Sequence, residues 1–191
     1  RTALAHPDGR HAIMGGYNGY GLVGGGLGIY NLETHEATLL TADDELLPGH
    51  STITVKALPN GDLVGGTSIT APGGGHEEAT EAELYILDWE TKQVTFRTVP
   101  VPGDSAIVSV LVGPDGLVYG LSRNSTFFVF DPAAREIVHS ESWEEFGSVP
   151  RHALHNGPDE NIYVLMGDAI LTLEPKAPFD PQKLVDAPSH I

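Results

Sequence analysis

Cysteine is absent from the 191 residues, so neither a disulfide framework nor a thiolate site is available. Basic residues are scarce: 10 Lys and Arg stand against 26 Asp and Glu, for a formal net charge of −16. A phosphate-binding surface needs a basic patch, and none is visible, which argues against nucleic acid and anionic membrane as partners. No apolar run approaches the roughly 18 residues of a membrane span, so membrane insertion is not expected. Helical patterning is nearly missing, and only residues 141–146 suggest a turn of helix. No Ser-His-Asp order and no Gly-Lys phosphate loop stands out, and neither a cofactor nor a metal is expected. What is plentiful is turn chemistry, with 23 Gly and 14 Pro. Hydrophobic residues at 40% supply a core, which sets the chain apart from disordered sequences.

The turns repeat. Pro7-Asp8-Gly9, Pro59-Asn60-Gly61, Pro114-Asp115-Gly116 and Pro158-Asp159-Glu160 recur at spacings of 52, 55 and 44 residues, each followed by a short apolar run. A period of this size built from short strands is the signature of a repeat architecture. Four units superpose, each with four candidate strands A to D. Unit 1 places them at 2–5, 11–15, 28–32 and 36–40; unit 2 at 52–58, 62–66, 83–88 and 93–99. Unit 3 places them at 107–112, 117–121, 126–131 and 136–140; unit 4 at 151–155, 161–165, 169–174 and a weak 183–185. The C strands end in Asn31, Asp88, Asp131 and Glu174, and Asp or Asn there can close the C–D turn on its own backbone.

Radially repeated four-stranded sheets, apolar on both faces because each stacks between two others, are β-propeller blades. The expected fold is therefore all-β, a β-propeller of four four-stranded antiparallel blades at about 1–47, 48–101, 102–147 and 148–191. A sandwich would not repeat Pro-Asp-Gly at this interval, and a β-helix coil is shorter. Half of a larger ring is favoured over a closed four-bladed ring. The remaining blades, or a second copy, are then expected partners. The sequence begins at Arg1 inside a strand, so it reads as a piece of a longer protein, and a missing targeting signal carries little weight.

The runs Gly65-Gly66-Thr67-Ser68-Ile69, Gly73-Gly74-Gly75, Ala82-Glu83-Leu84-Tyr85-Ile86-Leu87-Asp88 and Val112-Gly113-Pro114-Asp115-Gly116-Leu117-Val118-Tyr119-Gly120-Leu121 resemble bacterial propellers of the seven-bladed, quinoprotein-like or YVTN-like superfamily. The resemblance covers essentially the whole chain. It implies a segment of a larger, exported, polysaccharide-handling bacterial protein, placed in the extracellular space or the periplasm. It is specific for fold and not for activity, since propellers host enzymes, binding modules and scaffolds alike.

In a meandering blade the B–C loops and the D–A connections share one face, and the A–B and C–D turns share the other. Units 1 and 2 carry long B–C loops, with Tyr17 and Tyr20 in the first and His76 in the second. His50, Ser51, Arg151 and His152 lie on the same face, before or at the start of an A strand. Long loops on a rigid scaffold are where binding sits. Arg151 beside imidazoles could clamp a carboxylate such as that of a uronic acid, and the tyrosines could stack on sugar rings. The plainer alternative is that these histidines are hydrogen-bonded turn residues and the tyrosines loop packing.

Three motifs are set aside. Gly19-Tyr20-Gly21-Leu22-Val23-Gly24 matches a dinucleotide fingerprint with no helix to follow it. His76-Glu77-Glu78-Ala79-Thr80 lacks the second His of a zinc-protease motif, and Asn124-Ser125-Thr126 reads as a hairpin turn. The expected function is a ligand-binding or scaffold propeller, with a poly- or oligosaccharide as favoured ligand. The alternatives are a polysaccharide lyase, with its catalytic residues unknown, and a protein-interaction platform.

Overall fold

The computed structural model describes residues 1–186; the last residues of the fourth expected blade, 187–191, lie outside them. It contains four separate antiparallel sheets of four strands, each a simple meander in chain order. Blade 1 is β1 (Thr2–Ala5), β2 (His11–Tyr17), β3 (Gly25–Asn31) and β4 (Ala37–Thr41). Blade 2 is β5 (Ser51–Ala57), β6 (Leu63–Ser68), β7 (Leu84–Leu87) and β8 (Val94–Thr98). Blade 3 is β9 (Ile107–Val112), β10 (Val118–Ser122), β11 (Thr126–Asp131) and β12 (Glu136–Ser142). Blade 4 is β13 (Leu154–Asn156), β14 (Ile162–Leu165), β15 (Ala169–Leu173) and β16 (Gln182–Asp186). Among the described residues the fold is all-β, built of four β-propeller blades. Two short 3-10 turns, Pro72–Gly74 and Glu144–Phe146, are added, the second inside the stretch expected to turn.

Turn chemistry sets the blade register. In every A–B turn the Asp or Asn after proline accepts the backbone N–H two residues on: Asp8 from Arg10 (2.9 Å), Asn60 from Asp62 (3.1 Å), Asp115 from Leu117 (3.1 Å) and Asp159 from Asn161 (3.3 Å). The next residue takes a left-handed conformation, at Gly9, Gly61 and Gly116 but also at Glu160, where φ is 65°. The C–D turns use the same device. Asn31, Asp88 and Asp131 accept from their own following amides, and His35, Lys92 and Arg135 close the turn in the left-handed region. Glu174 departs from this pattern: its longer side chain does not make the short loop, and a wider connection leads to β16.

The chain divides into two compact units, Arg1–Ile107 and the residues from Val108 onward. In the first, Ile13, Leu27, Ile29 and Leu40 of blade 1 pack on Val55, Leu63, Tyr85 and Leu87 of blade 2. In the second, Leu111, Tyr119, Leu121, Phe127 and Val129 of blade 3 pack on Leu154, Ile162, Val164, Leu171 and Leu173 of blade 4. Aromatic residues are accommodated across strands by glycine. Tyr85 lies directly opposite Gly65, and Phe128 opposite Gly120, each ring occupying the space a Cβ would need.

Candidate functional site

In the first unit each B–C loop is bound to the following D–A connection. Gly25 N–H donates to the His50 carbonyl (3.0 Å) and Ala42 N–H to that of Gly25 (2.8 Å). Ala82 N–H donates to Asp104 (2.7 Å), Ile69 N–H to Ser105 (3.0 Å), and Gly103 N–H to the Glu81 carboxylate (2.9 Å). The two long loops, residues 18–24 and 69–83, also bind each other. Gly21 N–H donates to the Pro72 carbonyl (3.1 Å), and the Tyr20 ring lies against Gly73, where a Cβ would stand 2.5 Å from the Tyr20 Cδ2. Gly73 has φ 72°, so both the fold of its turn and the seat of the ring call for glycine. Tyr20 is 90% exposed, so the side of the ring away from Gly73 is open to water.

The expected site residues divide by environment. Tyr20 and His76 belong to this joined-loop surface, and His76 is exposed. Tyr17 is packed: its hydroxyl donates to the Ser68 Oγ (3.2 Å) and the Arg1 guanidinium lies 4.8 Å from its ring centre. His50 lies inward. It is 7% exposed, with Nδ1 2.8 Å from the Pro48 carbonyl and Nε2 3.1 Å from the Glu81 carbonyl. The ring therefore clasps the D–A connection to the second B–C loop. Ser51 beside it is also buried. Arg151 and His152 belong to the second unit, exposed in the turn that precedes β13, with His152 at φ 57°.

A cleft of about 300 Å³ opens on the face of blade 1 that does not meet blade 2, between Met14, Tyr17, Asn18, Leu39 and Asp43 over a floor that includes Gly26. A polar recess of about 380 Å³ lies in blade 4 among Asn161, Thr172, Glu174, Lys176 and Asp180.

A cluster of ionisable and aromatic groups that was not anticipated lies at the A–B and C–D turns of blades 1 and 2. The Asp8 Oδ2 is met by His11 Nδ1 (2.7 Å), His6 Nδ1 (3.0 Å) and the Trp89 indole N–H (3.2 Å). His6 stacks on Trp89 with ring centres 3.8 Å apart, and its Nε2 meets the Gly61 carbonyl at 2.8 Å. The Lys92 ammonium sits 3.8 Å from the Trp89 ring centre and donates to the Trp89 carbonyl. Partial burial pushes the Asp8 carboxyl up. The Arg10 amide, the His11 ring and the nearby imidazoles outweigh it and hold the group well below the usual carboxylate range. Every acceptor position of Asp8 is thus spent within the protein, and the cluster ties blade 1 to blade 2. The only sequence signal was a tryptophan placed in a turn.

No protein-family model matches the sequence, and no curated protein matches it. Among solved structures, the extracellular domain of BT4673, assigned as a one-component system of B. thetaiotaomicron, is similar with a TM-score of 0.71 at 15% identity. That match covers 97% of this chain and 22% of the other. The WD40 repeats of RRP9 match with a TM-score of 0.71 at 10% identity, covering 95% of this chain and 49% of theirs. The chain therefore spans less than half the length of either, and at these identities the likeness establishes the fold: these are β-propeller blades.

Proposed function

We propose that the chain is a ligand-binding or scaffold segment of a larger, exported propeller protein, and that it takes a carbohydrate on the joined loops of blades 1 and 2. The observation that carries this reading is Tyr20, 90% exposed and seated on Gly73. A large aromatic side chain held flat with one side open offers an apolar platform beside a polar tip, which suits the C–H face and hydroxyl rim of a sugar ring. Exposed Glu77 and Glu78 follow His76 on the same loop, so the ligand favoured is a neutral glycan rather than a uronate. The extracellular setting named for the B. thetaiotaomicron domain supports export. The lyase alternative would draw its catalytic groups from outside this chain, and no residue here is assigned to it.

The test is titration against a panel of neutral and acidic oligosaccharides, with Tyr20→Ala alongside. The expected result is binding to neutral glycans that Tyr20→Ala removes without loss of strand signal in circular dichroism. No binding to any glycan by the wild-type chain leaves the scaffold reading alone. Binding unchanged in Tyr20→Ala moves the site elsewhere. Release of unsaturated product from an acidic glycan restores the lyase.

A further inference from the structure

The D strand of each blade forms its outer edge, and edge strands are kept from pairing by bulges and by charge. Three of the four carry both devices. β8, β12 and β16 each hold one extra residue against the C strand, namely Thr95, Val138 and Leu184, where the pairing register shifts. Each is also charged, with Arg97 in β8, Glu136 and Glu141 in β12, and Lys183 and Asp186 in β16. β4, which reads Ala37-Thr38-Leu39-Leu40-Thr41, pairs with β3 without a register shift and has no charged residue. Among the described residues it is the one D strand with neither device.

The ladder fixes which backbone groups this edge offers. Ala42 N–H donates to the Gly25 carbonyl (2.8 Å) and Asn31 N–H to the Glu36 carbonyl (2.9 Å). Bonded positions alternate in an antiparallel pair, so Thr38 and Leu40 also turn their main-chain groups to β3. Ala37, Leu39 and Thr41 turn theirs outward. Thr41 is capped from within: its N–H donates to the Glu45 carboxylate (2.8 Å), and its carbonyl accepts from the Glu45 (3.2 Å) and Leu46 (3.0 Å) amides. Ala37 and Leu39 remain as the outward donors and acceptors of the edge.

This edge is distinct from the surfaces on which blades stack. Blade 1 meets blade 2 through a face, with Leu40 in the contact. Thr38 shares that face with Leu40 and is nevertheless exposed, so the strand lies open at the rim whatever covers its other face.

Charge selects the occupant. Glu33 and Glu36 precede the strand and Asp43 and Asp44 follow it, all exposed, and no Lys or Arg occurs from residue 11 to residue 55. A second copy pairing antiparallel through the same edge would bring acidic ends against acidic ends. We propose that the outer edge of β4 takes an extended segment of a partner protein, a short uncharged run with Lys or Arg on both sides, as a fifth strand of blade 1. Main-chain bonds to Ala37 and Leu39 hold the segment, and the acidic residues at both ends of β4 draw its basic flanks. This site is independent of the glycan reading.

The probe is the synthetic peptide KRTVTVTRK, titrated calorimetrically into the full chain, with EETVTVTEE for comparison. Leu39→Pro removes an outward N–H and no ladder bond, whereas Leu39→Ala keeps the amide and shortens only the side chain. The wild type and Leu39→Ala are expected to bind the basic peptide, and the acidic peptide is expected not to bind. Leu39→Pro is expected to weaken binding by about tenfold or more with its strand signal kept. Ala37→Pro blocks the other outward amide in the same way and replaces Leu39→Pro if that variant fails to fold. The proposal is overturned if the wild type does not bind the basic peptide, if the proline variant binds it equally well, or if the acidic peptide binds as tightly. A wild-type dimer in sedimentation velocity that Leu39→Pro dissociates also overturns it, since the edge would then belong to a second copy.

Discussion

The Tyr119 hydroxyl donates to the Asp115 carboxylate at 2.6 Å, four residues back along the chain, and Tyr163 repeats the bond to Asp159 at 2.9 Å. Both belong to a Gly-Pro-Asp-x-x-x-Tyr segment, beginning at Gly113 and at Gly157. The glycine is required because the tyrosine ring covers it: a Cβ on Gly113 would stand 2.6 Å from Tyr119 Cε2 and 2.7 Å from Asp115 Oδ1. Burial, then the bond to Asp115 and its charge, push the Tyr119 phenol far up, so it donates at any physiological pH. Tyr119→Phe is expected to cost about 1–2 kcal/mol, and Gly113→Ala about 1–3 kcal/mol through overpacking. Urea denaturation of the full chain measures both, with the slope of the transition unchanged.

Glu160 occupies the left-handed position that the other three A–B turns give to glycine. Its φ of 65° is strained for a residue with a Cβ, so Glu160→Gly is expected to stabilise blade 4 by about 1 kcal/mol. The midpoint of thermal unfolding should rise. A fall would show that the Glu160 side chain makes a compensating contact.

Asp8 gives the chain an acid-sensitive tie. Its folded pKa is depressed, so the stability it contributes is present above the ordinary Asp value of about 4 and is lost as pH falls through the folded value. Asp8→Asn is expected to cost about 2 kcal/mol at neutral pH through its bonds to His11 and Trp89. The gap between wild type and variant should close as the pH falls below about 4. A gap that stays constant across that range would mean the bonds do not depend on the carboxylate charge.

His50 holds two loops together from the inside. His50→Ala removes both ring contacts and opens space under a buried side chain, so the 69–83 loop should become the first site of limited proteolysis. Cleavage at unchanged rate would assign the clasp to the backbone bonds of Gly25 and Ala82 instead.

Much of the fold was legible in the sequence because turns are local. The Asp and Asn side chains that set each hairpin act on amides two or three residues away, so their chemistry is written in consecutive residues. The A strand of blade 4 was less legible: Arg151 and His152 look like strand residues, but the chain turns there and the strand begins at Leu154. The candidate site was legible only as a face. Nothing in the order of residues says that Gly73 lies under Tyr20 or that the His50 ring faces inward, because both follow from contacts between loops distant in sequence. The Asp8–Trp89 tie escaped for the same reason.

The separations of these ties carry a consequence for synthesis. The Tyr119–Asp115 and Tyr163–Asp159 bonds close across four residues, whereas the Trp89 indole reaches back 81 residues to Asp8. Closure entropy grows with the length of chain spanned, so the short ties can form as each hairpin leaves the ribosome. Blade 1 emerges before blade 2, with Asp8, His6 and His11 already in place but with no indole yet to donate to Asp8. Until residue 89 has been made, its inner face and its turn cluster are both open. A pause in translation before that point would leave an unfinished blade waiting for its neighbour.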